Sequence, residues 1–414
     1  MNPAKPALEA PSVSRPPGGA DRAGVYVHFP YCLAKCPYCD FYSVAADRSA
    51  IPHAAYADAV IAELGRRVAE CGPREVRSVF FGGGTPSLWE ATELGRVLDA
   101  IRAAFRVASE LEITVECNPT SFDAERASAL IDAGVSRVSI GVQSLDAERL
   151  RFLGRLHDAP GALRAVETAT RFDALRVSAD LIFGVAGETP DEGAREAATL
   201  AELGVTHLSA YALTIEPGTR FGVLARAGKL PLCPEDAVAD GYQAIADALR
   251  ARGFHHYEIS NYARDGAVAA HNVGYWRGED YVGLGAGAVG TIRLGEGAPA
   301  RASRELLAGR RRVRYRNAPS LERYLTSPGA PAGELELIDG ETALRERLML
   351  GLRMAEGVDV AEAARATGGQ AWPERRARAA ARLVARGRLA QDGDHLVIPE
   401  SAWLLADGTI AELI

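Results

Sequence analysis

Three cysteines near the N-terminus stand in Cys32-Leu-Ala-Lys-Cys36-Pro-Tyr-Cys39, and no further thiol follows until Cys71. Thiolates so closely spaced can wrap one corner of a four-iron cluster, leaving one iron without a protein ligand. A small molecule bound at that iron could receive an electron. A structural zinc would want a fourth Cys or His at short spacing, and none follows. The nearest imidazole, His28, falls within a predicted strand, where hydrogen bonding is its expected role. Cys71, Cys117 and Cys233 are scattered and read as ordinary thiols.

The elements that must position this triplet are legible as an alternation. Short β-branched or aromatic runs, Val25–His28, Ser78–Phe81, Glu112–Glu116, Arg137–Gly141, Arg176–Ile182 and His207–Leu213, predict strands. Stretches with apolar residues at helical spacing, Tyr56–Glu70, Leu94–Phe105, Ala124–Ala133, Gly161–Arg171 and Asp191–Leu203, predict the helices between them. Six βα units predict an α/β fold, a partial (β/α)6 barrel, with a doubly wound open sheet as the alternative. In such a barrel, functional groups collect where strands end. The cysteines follow the first strand, Gly82-Gly83-Gly84-Thr85-Pro86 follows the second and Glu116 closes the third. Gln143 follows the fourth, and Asp180 lies late in the fifth. The glycines offer close backbone approach and free N–H groups. Glu116 and Asp180 could accept from ribose hydroxyls or an ammonium group, and Gln143 could hydrogen-bond a polar ligand.

Past about residue 214 the regularity ends. Residues 215–330 read as an additional α+β region with a helix near Glu235–Arg252 and a glycine-dense stretch from Gly283 to Gly290. A Pro/Gly/Ala linker lies around Pro328–Ala332. Residues 331–414 carry three helices and a Leu389–Ile398 hairpin, predicting a small C-terminal winged-helix-like domain suited to packing or lid duty. Residues 1–23 read as a flexible tail without an apolar signal core, so a cytoplasmic, reducing compartment is expected. The chain is 48% hydrophobic and 24% charged, with net charge −7, no apolar run long enough to span a bilayer, and no basic excess pointing to nucleic acid. Arg312, Arg314 and Arg316 would share one face of a strand, most simply a charged, solvated edge. The adjacent His255-His256 reads as surface.

Val25-Tyr26-Val27-His28-Phe29-Pro30-Tyr31-Cys32 with the following cysteines, Gly82–Ser87, Ile140–Gln143 and Asp180–Gly184 resembles the radical S-adenosylmethionine superfamily. Within it, the chain from about residue 24 to 410 is similar to oxygen-independent coproporphyrinogen III oxidases and HemW-type haem chaperones. The resemblance implies a [4Fe-4S] cluster on Cys32, Cys36 and Cys39, with S-adenosyl-L-methionine on the open iron as the source of a 5′-deoxyadenosyl radical. It implies that Tyr26, Gly83, Gly84, Thr85 and Glu116 contact that cofactor and that Tyr38 lies beside the cluster. Gln143, Arg155 and Asp180 match residues that hold a second S-adenosylmethionine in the oxidases.

Two departures favour the chaperones over porphyrin biosynthesis. Where the oxidase pattern has a further cysteine, this chain has Phe41, in Cys39-Asp40-Phe41. It also carries His271-Asn272-Val273-Gly274-Tyr275-Trp276, matching the chaperones' HNxxYW motif. An imidazole can ligate haem iron, and Tyr275 and Trp276 offer flat apolar surface for the macrocycle. The implied partners are haem, a haem-acceptor protein and an electron donor to the cluster. A membrane-associated acceptor and a homodimer are left open. Oxidative decarboxylation of coproporphyrinogen III is the alternative function.

Overall fold

The computed structural model describes residues 22–294, 312–328 and 333–414; most of the predicted tail and most of the predicted linker lie outside the described residues, while Arg22 and Ala23, expected in the tail, open the first strand. Six parallel strands, Arg22–Phe29, Glu75–Gly83, Arg106–Cys117, Arg137–Gln143, Arg176–Phe183 and His207–Ala212, lie side by side in chain order. Each of the first five contains one strand predicted from the sequence, and the sixth ends one residue before the predicted Leu213. Alternate positions such as Val25, Val27, Val79, Phe81, Val138, Ile140, Val177 and Leu208 are buried in the core. The helices His53–Cys71, Ala91–Ala104, Ala124–Asp132, Ala159–Thr170 and Pro190–Glu202 follow the first five strands in turn. Asp123, Asp146 and Asp158 cap helix starts, their carboxylates accepting first-turn N–H groups. The cap at Asp146 opens a short helix, Ala147–Phe152, that the periodicity did not signal.

The strands do not close on themselves. Asp280–Leu284 adds parallel to the first strand, and Val289–Arg293, Arg312–Arg316 and Glu334–Ile338 continue antiparallel beyond it. At the other edge Asn261–Ala263 and His255–Glu258 add antiparallel, giving one mixed sheet of twelve strands among the described residues. Arg312–Arg316 is therefore not the edge strand expected from its charges, because Glu334–Ile338 covers it. Arg312 donates to Gly278 O and pairs with Asp280, and Arg314 pairs with Glu336 and Glu346. His256 also departs from expectation. Its ring stacks on Tyr262 at 4.0 Å and bonds Ile259 O at 2.9 Å, leaving only His255 exposed.

An aromatic cluster fixes the end of the first strand. Phe29 stacks on Trp89 at 4.9 Å, and Tyr56 packs edge-on to both. The Tyr56 hydroxyl donates to His28 O at 2.6 Å, tying helix His53–Cys71 to the residues that lead into the cysteine loop.

The helices Gly340–Gly351, Val360–Thr367, Glu374–Ala385 and Ala406–Leu413 share a core of their own, including Leu344, Leu348, Leu383, Leu396 and Trp403. Ala390–Asp392 and His395–Val397 form the expected hairpin, with Gly393 at its tip in the left-handed region and Val358–Asp359 as a third strand. This unit docks on the sheet through Tyr257, Val273, Trp276 and Met354. No helix among the described residues is long and apolar enough to cross a membrane.

Candidate functional site

In a parallel barrel packed for stability alone, the inward positions carry bulky apolar residues. Here they are mostly polar: Thr114 and Glu116, Arg137 and Ser139, Ser178 and Asp180, His207 and Ser209. They line a cavity of about 510 Å³ running from the cysteine loop to Ala269 and Asn272. An interior of this size and polarity fits a bound ligand.

Cys32, Cys36, Cys39 and Tyr38 line the cavity. The Thr85 hydroxyl donates to Cys32 Sγ and Arg155 Nη1 to Cys36 Sγ, each at 3.5 Å. The thiols do not converge on one point: among the described residues no three His, Cys, Asp or Glu side chains could hold a single metal ion. Three thiolates that each ligate a different iron need not converge on one point, so this spread is compatible with a cluster corner. Burial pushes the Cys32 thiol up and the Cys39 thiol to about 11, so iron would have to displace their protons. His28 is engaged as expected of a strand residue, with Nδ1 2.9 Å from the Tyr26 hydroxyl and Nε2 2.7 Å from Tyr42 O.

The expected cofactor residues gather around the same space. Gly83 sits at φ +108, where a Cβ would run into the His28 ring, and its N–H donates to Glu116 Oε2 at 3.1 Å. Burial, then the neighbouring Asp180, raises Glu116 to about 7. Burial raises Asp180 to about 6, against hydroxyl donors from Ser209 and Ser139. Two half-buried carboxyls poised near neutrality suit a cationic ligand, which would favour their ionised forms. Gln143 holds a left-handed backbone at φ 66, unusual for a residue with a side chain, and lines the cavity. Arg155 is half-buried, donates to Gly141 O at 3.1 Å and leaves Nε without a partner. Tyr26 stands beside this group, at Gly82 and His28, rather than in the cavity wall.

The HNxxYW segment is a helix, Ala270–Trp276, seated at the opposite end of the barrel from the cysteines. His271 Nδ1 lies 3.0 Å from Ser78 Oγ, near the start of the second strand, and close to Gly24 of the first. The ring stacks on Phe80 at 5.1 Å, and burial lowers its pKa to about 4. Asn272 lines the cavity floor. The two aromatic residues diverge from the imidazole. Tyr275 is 43% exposed beside Tyr281, and Trp276 packs in the seam to the C-terminal unit.

Sequence reading missed Thr114, Arg137, Ser139, Ser178, His207 and Ser209. The signal was the strict alternation of polar with apolar residues, as in Arg137-Val-Ser-Ile and His207-Leu-Ser.

Profiles of the radical SAM superfamily and of the HemN C-terminal domain match residues 26–208 and 338–405. The haem chaperone HemW of Mycobacterium tuberculosis is 33% identical over 411 residues, covering 98% of both chains. The chain belongs to the HemW family of radical SAM proteins. The Escherichia coli haem chaperone HemW is 39% identical over 274 residues, 66% of this chain and 71% of that one. A mitochondrial radical S-adenosyl methionine domain-containing protein 1 from Bos taurus is 36% identical over 355 residues, 86% of this chain and 78% of its own. Coproporphyrinogen III oxidase (HemN) from Escherichia coli shares the fold, with TM-score 0.75 at 20% identity over 95% of this chain and 90% of that one.

Proposed function

We propose that this chain is a cytoplasmic haem chaperone that binds haem at His271 and passes it to an acceptor protein. The observation that carries the reading is the setting of His271. Ser78 fixes Nδ1, no described residue bonds Nε2, and the ring lies under the barrel whose far end carries the three thiols. A fixed Nδ1 sets the tautomer and aims Nε2, as in other histidine ligands to metals.

Cys32, Cys36 and Cys39 would hold a [4Fe-4S] cluster, which supplies one-electron chemistry when bound. Glu116, Asp180, Gln143, Arg155, Tyr38 and the Gly83-Gly84-Thr85 backbone would hold S-adenosylmethionine, with Tyr26 supporting them from beside the wall. The two carboxyls would answer its sulfonium and ammonium charges. Phe41, 56% exposed at the cavity rim, stands where the oxidase pattern has a cysteine and offers apolar surface instead.

The test is anaerobic cluster reconstitution followed by two assays on one sample. Haem uptake with a Soret band that depends on His271, without porphyrinogen turnover, is the expected result. Conversion of coproporphyrinogen III to protoporphyrinogen IX over many turnovers would overturn the chaperone reading.

A further inference from the structure

The approach to the His271 helix is held from inside the barrel by a buried ion pair. Glu112 and Arg137, on adjacent strands, are 5% and 1% exposed, with Arg137 Nε 2.9 Å from Glu112 Oε2. Arg137 Nη2 donates to Ala267 O and Val268 O, both at 3.0 Å, and Nη1 to Ser178 Oγ at 3.1 Å. Glu112 Oε1 accepts the Ala270 N–H at 2.7 Å, at the first residue of the helix and next to His271. The pair thus grips three backbone atoms of one short segment. A buried ion pair is a costly means of stabilisation compared with apolar packing, so its use here points to placement of the segment.

We infer that Arg137 and Glu112 are positioning residues for His271, setting the helix so that Ser78 and Phe80 receive the imidazole. The inference rests on haem ligation by His271. Arg137 also lines the cavity floor beside Ala269 and Asn272, so the same guanidinium that faces a barrel ligand holds the haem-bearing helix.

Two variants of the full-length, cluster-reconstituted protein test this. Glu112→Leu/Arg137→Met replaces both charges together, leaving neither unpaired. Ala270→Pro deletes only the N–H that Glu112 accepts. Proline is tolerated at a first helical position, and Ala269, at φ −78 and ψ 109, already has an extended backbone compatible with a following proline. Each variant should weaken haem binding by about 10–100-fold, the range for loss of a ligand's supporting contacts. Each should also shift the Soret band towards that of His271→Ala, with cluster absorbance kept and added imidazole restoring the wild-type spectrum. If the double variant does not fold, Ala270→Pro carries the test alone. Wild-type haem affinity and spectrum in a folded variant would overturn the inference while leaving His271 ligation standing. An unchanged spectrum in His271→Ala would instead overturn the ligation itself.

Discussion

Ser78 Oγ lies 3.0 Å from His271 Nδ1, joining residues 193 positions apart. The contact pins the HNxxYW helix to the start of a barrel strand, at the end remote from the cysteine loop. Ser78→Ala should leave the fold intact and weaken haem binding by about fivefold, as loss of one hydrogen bond of about 1 kcal/mol implies. Haem titration of the two proteins checks this, and equal affinities would remove Ser78 from the ligand's support.

Glu63 is fully buried on helix His53–Cys71 and accepts from Arg67, Asn317, Tyr324 and the Gly285 N–H. Its loss would leave the buried Tyr324 hydroxyl and Gly285 N–H without their acceptor and Arg67 with Glu70 as its remaining ion-pair partner. Glu63→Ala should cost about 3–5 kcal/mol in urea unfolding. A loss under about 1 kcal/mol would show that water or rearrangement satisfies the site.

Gln143 keeps a left-handed backbone that a glycine would hold without strain. Gln143→Gly should raise stability by about 1 kcal/mol while weakening S-adenosylmethionine binding, since the side chain leaves the cavity. Thermal unfolding and equilibrium dialysis separate the two effects. A fall in both would mean that the side chain supports the fold.

The Glu116 and Asp180 carboxyls, raised to about 7 and about 6, hold protons that the unfolded chain has already released. Their contribution to stability is full below the unfolded values, near pH 4, and is lost as pH rises through 6 and 7. Ligand-free wild type should therefore lose stability relative to Glu116→Gln/Asp180→Asn between about pH 4 and 7, then level off. A difference that stays constant across this range would place both carboxyls in a solvent-like setting.

The barrel was legible because Val25, Val79, Val138 and Val177 alternate with inward residues, and local alternation dictates strands. The cysteine loop was legible for a similar reason, since Cys32, Cys36 and Cys39 lie within one short segment. What local pattern could not show was the partner of each inward side chain. Ser78 meets His271, and Glu112 meets Ala270, only after the chain returns beneath the barrel. The edge strands were hidden likewise: Glu334–Ile338 covers Arg312–Arg316 through register and ion pairs, not through any apolar run.

Haem titration of cluster-loaded wild type and His271→Ala, followed at the Soret band, decides whether His271 ligates haem. Tight binding with a histidine-ligated spectrum is expected in the wild type. Loss of that spectrum is expected in the variant, with cluster absorbance unchanged. The same haem affinity and spectrum in both proteins would contradict ligation by His271.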